Sequence, residues 1–360
     1  METESRFRRG NGNDAGPGHI TAAEIYHQPL LWLDTFERMQ KKSWRGWATG
    51  HGILCGAGTS AYVAGAIQSA WTSSLSIPTT DLLTDPRALK DADFLLSIAR
   101  SGDSPESVAV VDMARRDFPA LPQLAITCNP DGRLAQYSDI QLLLLDPRTN
   151  DRSLVMTSSF SNLALAGLSL SHQEILREHL PAICRLTEHR LPELDSLAEK
   201  VAKLRPTRAV ILASAPLFPW ADETSLKILE MTAGRVAVLA ETFLGLRHGP
   251  MSFLDRETLV LCLISNDPRR RLYEIDLINE LKAKQLGRIV CIAPSDLSSD
   301  GLHAHSMALA PGIPDYLRTP FEIVFPQLLA YHMSLNAGLN PDSPSPSGAI
   351  SRVVSGVKVY

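Results

Sequence analysis

With 360 residues the chain is long enough for two domains with complete cores, and its 44% hydrophobic and 21% charged content is ordinary for a globular protein. The formal net charge is -4, from 35 Lys and Arg against 39 Asp and Glu. Nucleic-acid binders are usually basic, so that class is set aside, and an anionic substrate must be held by local donors.

Residues 1–18, rich in Gly, Asn and Arg, read as a disordered leader, and no apolar signal segment follows Arg6, Arg8 and Arg9. A first helix is expected from Thr21, with Glu24 completing a capping box, and a second over 31–39. Strands and helices then alternate. Strands are expected at 52–55, 79–83, 94–99, 121–128 and 140–145, and helices at 61–71, 105–117 and 157–179. The weakly charged stretch 153–173 carries too many Ser, Thr and Asn residues for a membrane span and reads as a buried helix. Residues 181–203 read as a helical connector broken at Pro192.

The alternation then resumes, with strands at 209–213, 237–240, 258–264 and 288–293 and helices at 221–233, 270–286 and 321–339. Such a pattern means parallel sheets covered on both faces. The second half has no glycine-rich turn after its first strand, where Ala215-Pro-Leu-Phe-Pro219 stands instead. Residues 340–347 form a Pro- and Ser-rich loop, and 353–360 are apolar enough to dock. The five cysteines, Cys55, Cys128, Cys184, Cys262 and Cys291, are odd in number, widely spaced and without a Cys-x-x-Cys pair. They read as free buried thiols in a cytoplasmic protein.

Chemistry concentrates in four places. The strand 94–99 runs into Arg100-Ser-Gly-Asp-Ser104, and Pro105 and Glu106 open a helix. Gly102 allows a tight turn and Ser104 is a good N-cap. Ser101 and Ser104 present hydroxyls beside free helix N–H groups, which suits a phosphate as well as an ordinary turn. Cys55-Gly-Ala-Gly-Thr-Ser60 resembles part of a dinucleotide fingerprint but has Ala61 at the third glycine; Thr59 and Ser60 better suit sugar hydroxyls or a phosphate. Both turns follow strands, so both should face one pocket.

Glu223, Lys227 and Glu230 fall within an arc of about 60° on a helix. They form either a solvated surface pair or the floor of a pocket holding a general base beside a cation. His248, in Leu246-Arg-His-Gly-Pro250, is a loop histidine able to move a proton. His303-Ala-His305 has no third partner at metal-ligand spacing and reads as a surface loop.

These motifs, in this order, resemble the sugar isomerase (SIS) domain. The match is to the bacterial tagatose-6-phosphate ketose/aldose isomerase family, which includes galactosamine-6-phosphate deaminases. The tail from Asn340-Pro-Asp through Arg352-Val-Val-Ser-Gly-Val is similar to that branch too. The resemblance implies an α/β fold of two tandem flavodoxin-like SIS domains, each a parallel sheet with helices on both faces. The expected division is leader 1–18, first domain 19–180, connector 181–206, second domain 207–339 and tail 340–360.

The resemblance also implies roles. Arg100, Ser101, Gly102 and Ser104 would bind the substrate phosphate. Gly58, Thr59, Ser60, Thr157 and Ser158 would contact the sugar. Glu230 would move a proton between C1 and C2, with Glu223 and Lys227 as charged companions. His248 would assist ring opening, a role the neighbouring subunit fills in glucosamine-6-phosphate synthase. Two departures stand out. Ala99 replaces a phosphate-loop serine of that synthase, and Ser355 or Arg352 falls near its Schiff-base lysine.

The expected activity is deaminating isomerisation of a hexosamine 6-phosphate, galactosamine 6-phosphate to tagatose 6-phosphate plus ammonia. It needs no metal or other cofactor, no nucleic acid and no membrane, and the assembly is a homodimer or larger. The alternatives are a non-deaminating ketose/aldose phosphate isomerase, a glucosamine-6-phosphate deaminase, or a non-catalytic sugar-phosphate sensor.

Overall fold

A computed structural model describes residues 16–41, 44, 49–293, 307–354 and 356–360. In chain order the first elements are α1 (His19–Tyr26), α2 (Gln28–Gln40), β1 (Gly52–Cys55), α3 (Thr59–Gln68), β2 (Leu75–Ser76) and α4 (Thr79–Thr84). Next come β3 (Phe94–Ala99), α5 (Pro105–Asp117), β4 (Gln123–Thr127), β5 (Gln141–Leu144), α6 (Ser158–Ser169) and α7 (Gln173–Ala202). The rest are β6 (Arg208–Ala213), α8 (Phe218–Met231), β7 (Ala237–Glu241), β8 (Leu259–Leu263), α9 (Pro268–Ala283), β9 (Arg288–Ile292), α10 (Thr319–Glu322) and α11 (Val324–Asn336).

The chain divides into two compact units that do not follow chain order. One comprises His27–Arg152, Met156–Cys184 and Gly348–Tyr360; the other comprises Met1–Tyr26, Ser153–Val155 and Arg185–Ser347. The expected leader, 1–18, lies mostly outside the described residues, as do His303, His305 and Ser355.

The first unit carries an all-parallel sheet in the order β2-β1-β3-β4-β5, the flavodoxin-like winding. Its inner strands are buried along their whole length and mostly apolar because both faces are covered. On one face Ile53, Cys55 and Leu95 pack with Leu82, Val110 and Met113 of α4 and α5. The alternate residues Leu54 and Leu96 are equally buried, and α3 and α6 supply that cover. All of α6 is buried, as expected of a helix rich in small and apolar residues.

The second unit carries the parallel order β7-β6-β8-β9. Val210, Leu212, Val260 and Cys262 pack against Leu277, Ile278 and Leu281 of α9. Helix α8 packs on β6, β7 and α11. All five cysteines are free and buried.

Several expectations need correction. The second strand is Leu75–Ser76, and 79–83 is helical. Pro78 ends the strand, and the Thr79 amide is taken by the Gly56 carbonyl. The helix expected at 157–179 is two helices, broken after Ser169. The connector is not broken at Pro192, because α7 runs unbroken through Pro181 and Pro192. Both prolines are exposed, as are Arg177 and Glu188, whose carbonyls lose their intrahelical donors; water can serve them there. Helix 321–339 is likewise two segments, α10 and α11.

The capping box at Thr21 does not form. Helix α1 starts at His19, and the Thr21 amide and hydroxyl both donate to Asp342 Oδ1, at 2.8 and 2.9 Å. Glu24 accepts from Ser153 instead. The cap therefore comes from the Asn340-Pro-Asp342 turn, whose Asn340 also accepts from the Gly18 amide at 2.8 Å.

Candidate active site

Strands β1 and β3 lie side by side, Cys55 paired with Ser97, while β2 lies beyond β1. The winding reverses between them, and open parallel sheets bind ligands at the carboxyl edge of such a point. Both sequence-predicted loops stand there. In the β1 loop a Cβ on Gly56 would meet the Ser60 backbone at 2.4 Å, so glycine is required by close approach. Gly58 turns the chain with φ +55°, and Thr59 and Ser60 begin α3 almost fully buried.

In the β3 loop Gly102 has φ +71°, as the tight turn requires. Ser104 occupies the N-cap of α5, but its hydroxyl makes no capping bond. The Ser101 hydroxyl accepts from the Asp103 amide at 3.2 Å. The loop is gripped from the β4 side. The Arg100 carbonyl accepts from the Cys128 amide and the Thr127 hydroxyl, the Ser101 carbonyl from Asn129 Nδ2 at 2.9 Å, and the Gly102 carbonyl from the Leu134 amide.

Across a planar trans peptide the next N–H points opposite to the carbonyl. The amides of Ser101 and Gly102 therefore turn away from β4, giving a concave row of donors that suits an oxyanion. Asn129 Nδ2, on the Ser101 carbonyl, aims the Gly102 amide, while the Cys128 amide and the Thr127 hydroxyl, on the Arg100 carbonyl, aim that of Ser101. Asn129 was not singled out from sequence; its signal was its place two residues past β4, the buried strand neighbouring β3.

Arg100 turns its guanidinium to the main-chain carbonyl of Arg352. Arg352 in turn donates Nε to the Asp151 carbonyl at 2.9 Å and Nη2 to Asn150 Oδ1 at 2.7 Å. The Asp151 carboxylate accepts the amides of Thr157, Ser158 and Ser159, at 2.8, 3.2 and 2.9 Å, and the Ser159 hydroxyl. Thr157 and Ser158 are thus completely buried, with their amides committed to Asp151. Neither Asp151 nor Arg352 was assigned this linkage from sequence.

The other unit holds Glu223, Lys227 and Glu230 on α8. The solvated-pair reading fails, because the side chains of Lys227 and Glu223 are 0% exposed and that of Glu230 22%. Lys227 Nζ stands 2.6 Å from Glu230 Oε2 and 3.4 Å from Glu223 Oε1. Burial drives the ammonium toward neutrality, but attraction to the two carboxylates outweighs it and holds the Lys227 pKa above its ordinary value. The helix is fixed by fully buried Trp220, whose Nε1 donates to the Glu322 carbonyl at 3.0 Å.

Asp222, not singled out from sequence, sits half-buried on the same helix, and burial pushes its carboxyl up to about 6. His248 is exposed at the end of the turn Gly245–His248, and among the described residues no hydrogen bond or ion pair ties it to the α8 stripe. Its neighbour Arg247 pairs with Glu280 and Asp276, both at 2.7 Å. Among the described residues no cluster of acidic, His and Cys side chains could hold a metal ion, and no helix is long and apolar enough to cross a membrane.

No protein-family model matches the chain. A D-galactosamine-6-phosphate deaminase AgaS from Shewanella sp. strain ANA-3 is 35% identical, over 94% of this chain and 91% of that protein. A protein of the same name from Escherichia coli is 35% identical over 96% and 97%. The crystal structure of tagatose-6-phosphate ketose/aldose isomerase from Escherichia coli superposes with a TM-score of 0.81 at 30% identity, covering 97% of this chain and 99% of that one. Identity of this order across nearly the whole of both chains, together with two parallel sheets wound in the same way, places the protein: it belongs to the family of AgaS galactosamine-6-phosphate deaminases and tagatose-6-phosphate ketose/aldose isomerases, enzymes of the sugar isomerase (SIS) fold.

Proposed function

We propose that the protein converts galactosamine 6-phosphate and water to tagatose 6-phosphate and ammonia. The ester is held by the amides of Ser101 and Gly102 and the hydroxyls of Ser101 and Ser104, and Thr59 and Ser60 meet sugar hydroxyls. That remote binding energy keeps C1 and C2 still for the chemical step. His248 assists ring opening; where a neighbouring subunit supplies it, a homodimer is the smallest active assembly.

Glu230 takes the proton from C2 of the open-chain aldehyde while the C2 ammonium passes a proton to O1, leaving an enolamine, and Glu230 returns its proton to C1. The C2 centre is then a protonated imine. Water adds to it and ammonia leaves, so that step is a hydrolysis. Lys227 steadies negative charge near the reacting carbons and orients Glu230. The two units repeat one architecture. The five free buried cysteines suit a reducing compartment such as the cytoplasm.

The observation that carries this reading is the α8 stripe. A buried ammonium has no use on a helix unless paired, and Glu230 alone of the three side chains is open to a substrate. The test is a panel of galactosamine 6-phosphate, glucosamine 6-phosphate and ketohexose 6-phosphates, scored for ammonia and for isomer. Ammonia with tagatose 6-phosphate from the first compound is the expected result. Isomerisation without ammonia would move the protein to the plain isomerases, and binding without turnover would make it a sensor.

A further inference from the structure

The second unit has its own version of the β3 loop, after β8 rather than after β6. Both parent strands are internal, β3 between β1 and β4, β8 between β6 and β9. In each a serine stands two residues past the strand, Ser101 after Ala99 and Ser265 after Leu263. In each that serine's hydroxyl accepts from the amide two residues on, Asp103 at 3.2 Å and Asp267 at 3.0 Å. In each a polar N-cap and a proline then open a helix, Ser104-Pro105 and Asp267-Pro268. The second loop is one residue shorter and has no glycine, which hides the correspondence in the sequence.

The second loop also has an occupant. Both carboxylate oxygens of Asp315 are aimed into it. Oδ1 accepts the Asn266 amide at 2.8 Å and Arg318 Nη1 at 2.9 Å; Oδ2 accepts Arg270 Nη1 at 3.0 Å and the Ser265 hydroxyl. A backbone amide, a serine hydroxyl and guanidinium groups are the donor set that proteins use for phosphate and carboxylate ligands. Ser265 and Arg318 are fully buried and Asp315 nearly so. Burial alone would raise the Asp315 carboxyl, but these donors outweigh it and hold it below the ordinary aspartate value. In the first loop, among the described residues, neither Ser101 nor Gly102 donates to a carboxylate of the chain.

We propose that the loop after β8 is an oxyanion cradle whose ligand is the chain's own Asp315 carboxylate, so that each chain holds a phosphate ester at the β3 loop only. The count of one ester rests on the proposed function above; the filling of the second cradle does not.

The test is anion rescue of full-length Asp315→Ala. The substitution removes a volume that formate matches and leaves Arg318 and Ser265 facing it. Expected is a melting temperature roughly 5–15 °C below the parent, restored in part by sodium formate, saturably, and not by sodium chloride at equal ionic strength. The parent should not distinguish the two salts. Equal effects of formate and chloride on the variant would overturn the proposal. If the variant does not fold unaided, its refolding yield from denaturant is compared in formate and in chloride: a higher yield in formate supports the proposal, and equal yields overturn it. Equilibrium dialysis of the parent with radiolabelled inorganic phosphate is the second arm. One site per chain supports the proposal and two overturn it; none would count against the β3 loop, leaving the formate arm to judge the β8 cradle by itself.

Discussion

Lys227 sets its ammonium 2.6 Å from a carboxylate oxygen of Glu230, three residues along the same helix, with Glu223 at 3.4 Å on its other side. Two carboxylates share one cation, and only Glu230 retains solvent contact. The carboxylate proposed as the base is therefore held in place by two fully buried partners.

Replacing Glu230 by Gln keeps the shape and a hydrogen-bond acceptor for Lys227 but removes the base. Turnover of hexosamine 6-phosphate should fall by about 10²–10⁴, with substrate affinity within a few-fold of the parent. Steady-state kinetics and ligand titration of the variant check this. Parental turnover in Glu230→Gln would assign the proton transfer elsewhere.

Lys227→Met separates catalysis from folding. It strands Glu223, fully buried, without its cation, and breaking one side of a buried pair costs about 3–5 kcal/mol. Chemical denaturation should show that loss in Lys227→Met and little loss in Glu230→Gln, whose side chain is partly open to water. Equal destabilisation by the two would mean that Glu230 belongs to the core.

Much of this was legible in the sequence, for identifiable reasons. Apolar runs ending in Gly56 to Ser60 and Arg100 to Ser104 mark strand-to-ligand-loop turns, because glycine and hydroxyl residues are what such turns require. The spacing of Glu223, Lys227 and Glu230 put them on one face. Their burial was not legible, since the same spacing makes a surface pair. Nor were the contacts made across long stretches of chain. Asp342 displaced the local capping box at Thr21, and Asn129, Asp315 and Arg352 act on segments far from them in sequence. Pro192 looked like a break because a proline inside a helix leaves the carbonyl four residues back without its donor, and here that residue, Glu188, is exposed to water.

Asp222 gives a pH signature. Its carboxyl is raised to about 6 by burial. Between the ordinary aspartate range and pH 6 the folded protein keeps a proton that the unfolded chain has released. The contribution of the neutral form is thus fully present at low pH and lost as pH rises through 6. Screened by its partial exposure, the penalty at pH 7.5 is about 1 kcal/mol. Asp222→Asn should therefore be more stable than the parent at pH 7.5 by that amount, with the gap closing toward pH 4. Urea titrations at the two pH values measure it; a gap that does not change with pH would remove Asp222 as its source.

Asp151 offers a test of the first unit alone. Its carboxylate satisfies three amides at the start of α6, a helix with no exposed face. Asp151→Ala orphans those donors in the interior, at a cost of about 2–4 kcal/mol. Asp151→Asn keeps one acceptor oxygen and should recover part of it. Thermal denaturation of both variants, with the midpoint of Asp151→Asn falling between the parent and Asp151→Ala, is the expected order.

Arg352 joins the two halves of that arrangement. Its guanidinium holds Asn150 and the Asp151 carbonyl, and its own carbonyl receives Arg100 from the β3 loop. It touches neither proposed reacting group, so its removal should loosen the ester cradle rather than slow the proton transfer. Losing charge-assisted hydrogen bonds of this kind costs about 1.5–3 kcal/mol, felt here as a KM for the sugar phosphate raised about tenfold in Arg352→Ala. The kcat should stay within a few-fold. Arg352→Lys, able to reach one acceptor but not both, should fall between. An arginine cannot form a Schiff base with a ketose; a collapse of kcat at unchanged KM in Arg352→Ala would show the tail entering the chemistry by another route. Because the guanidinium is tethered to main-chain and amide oxygens, the KM effect should persist at high salt, where a merely electrostatic contribution to ester binding would fade.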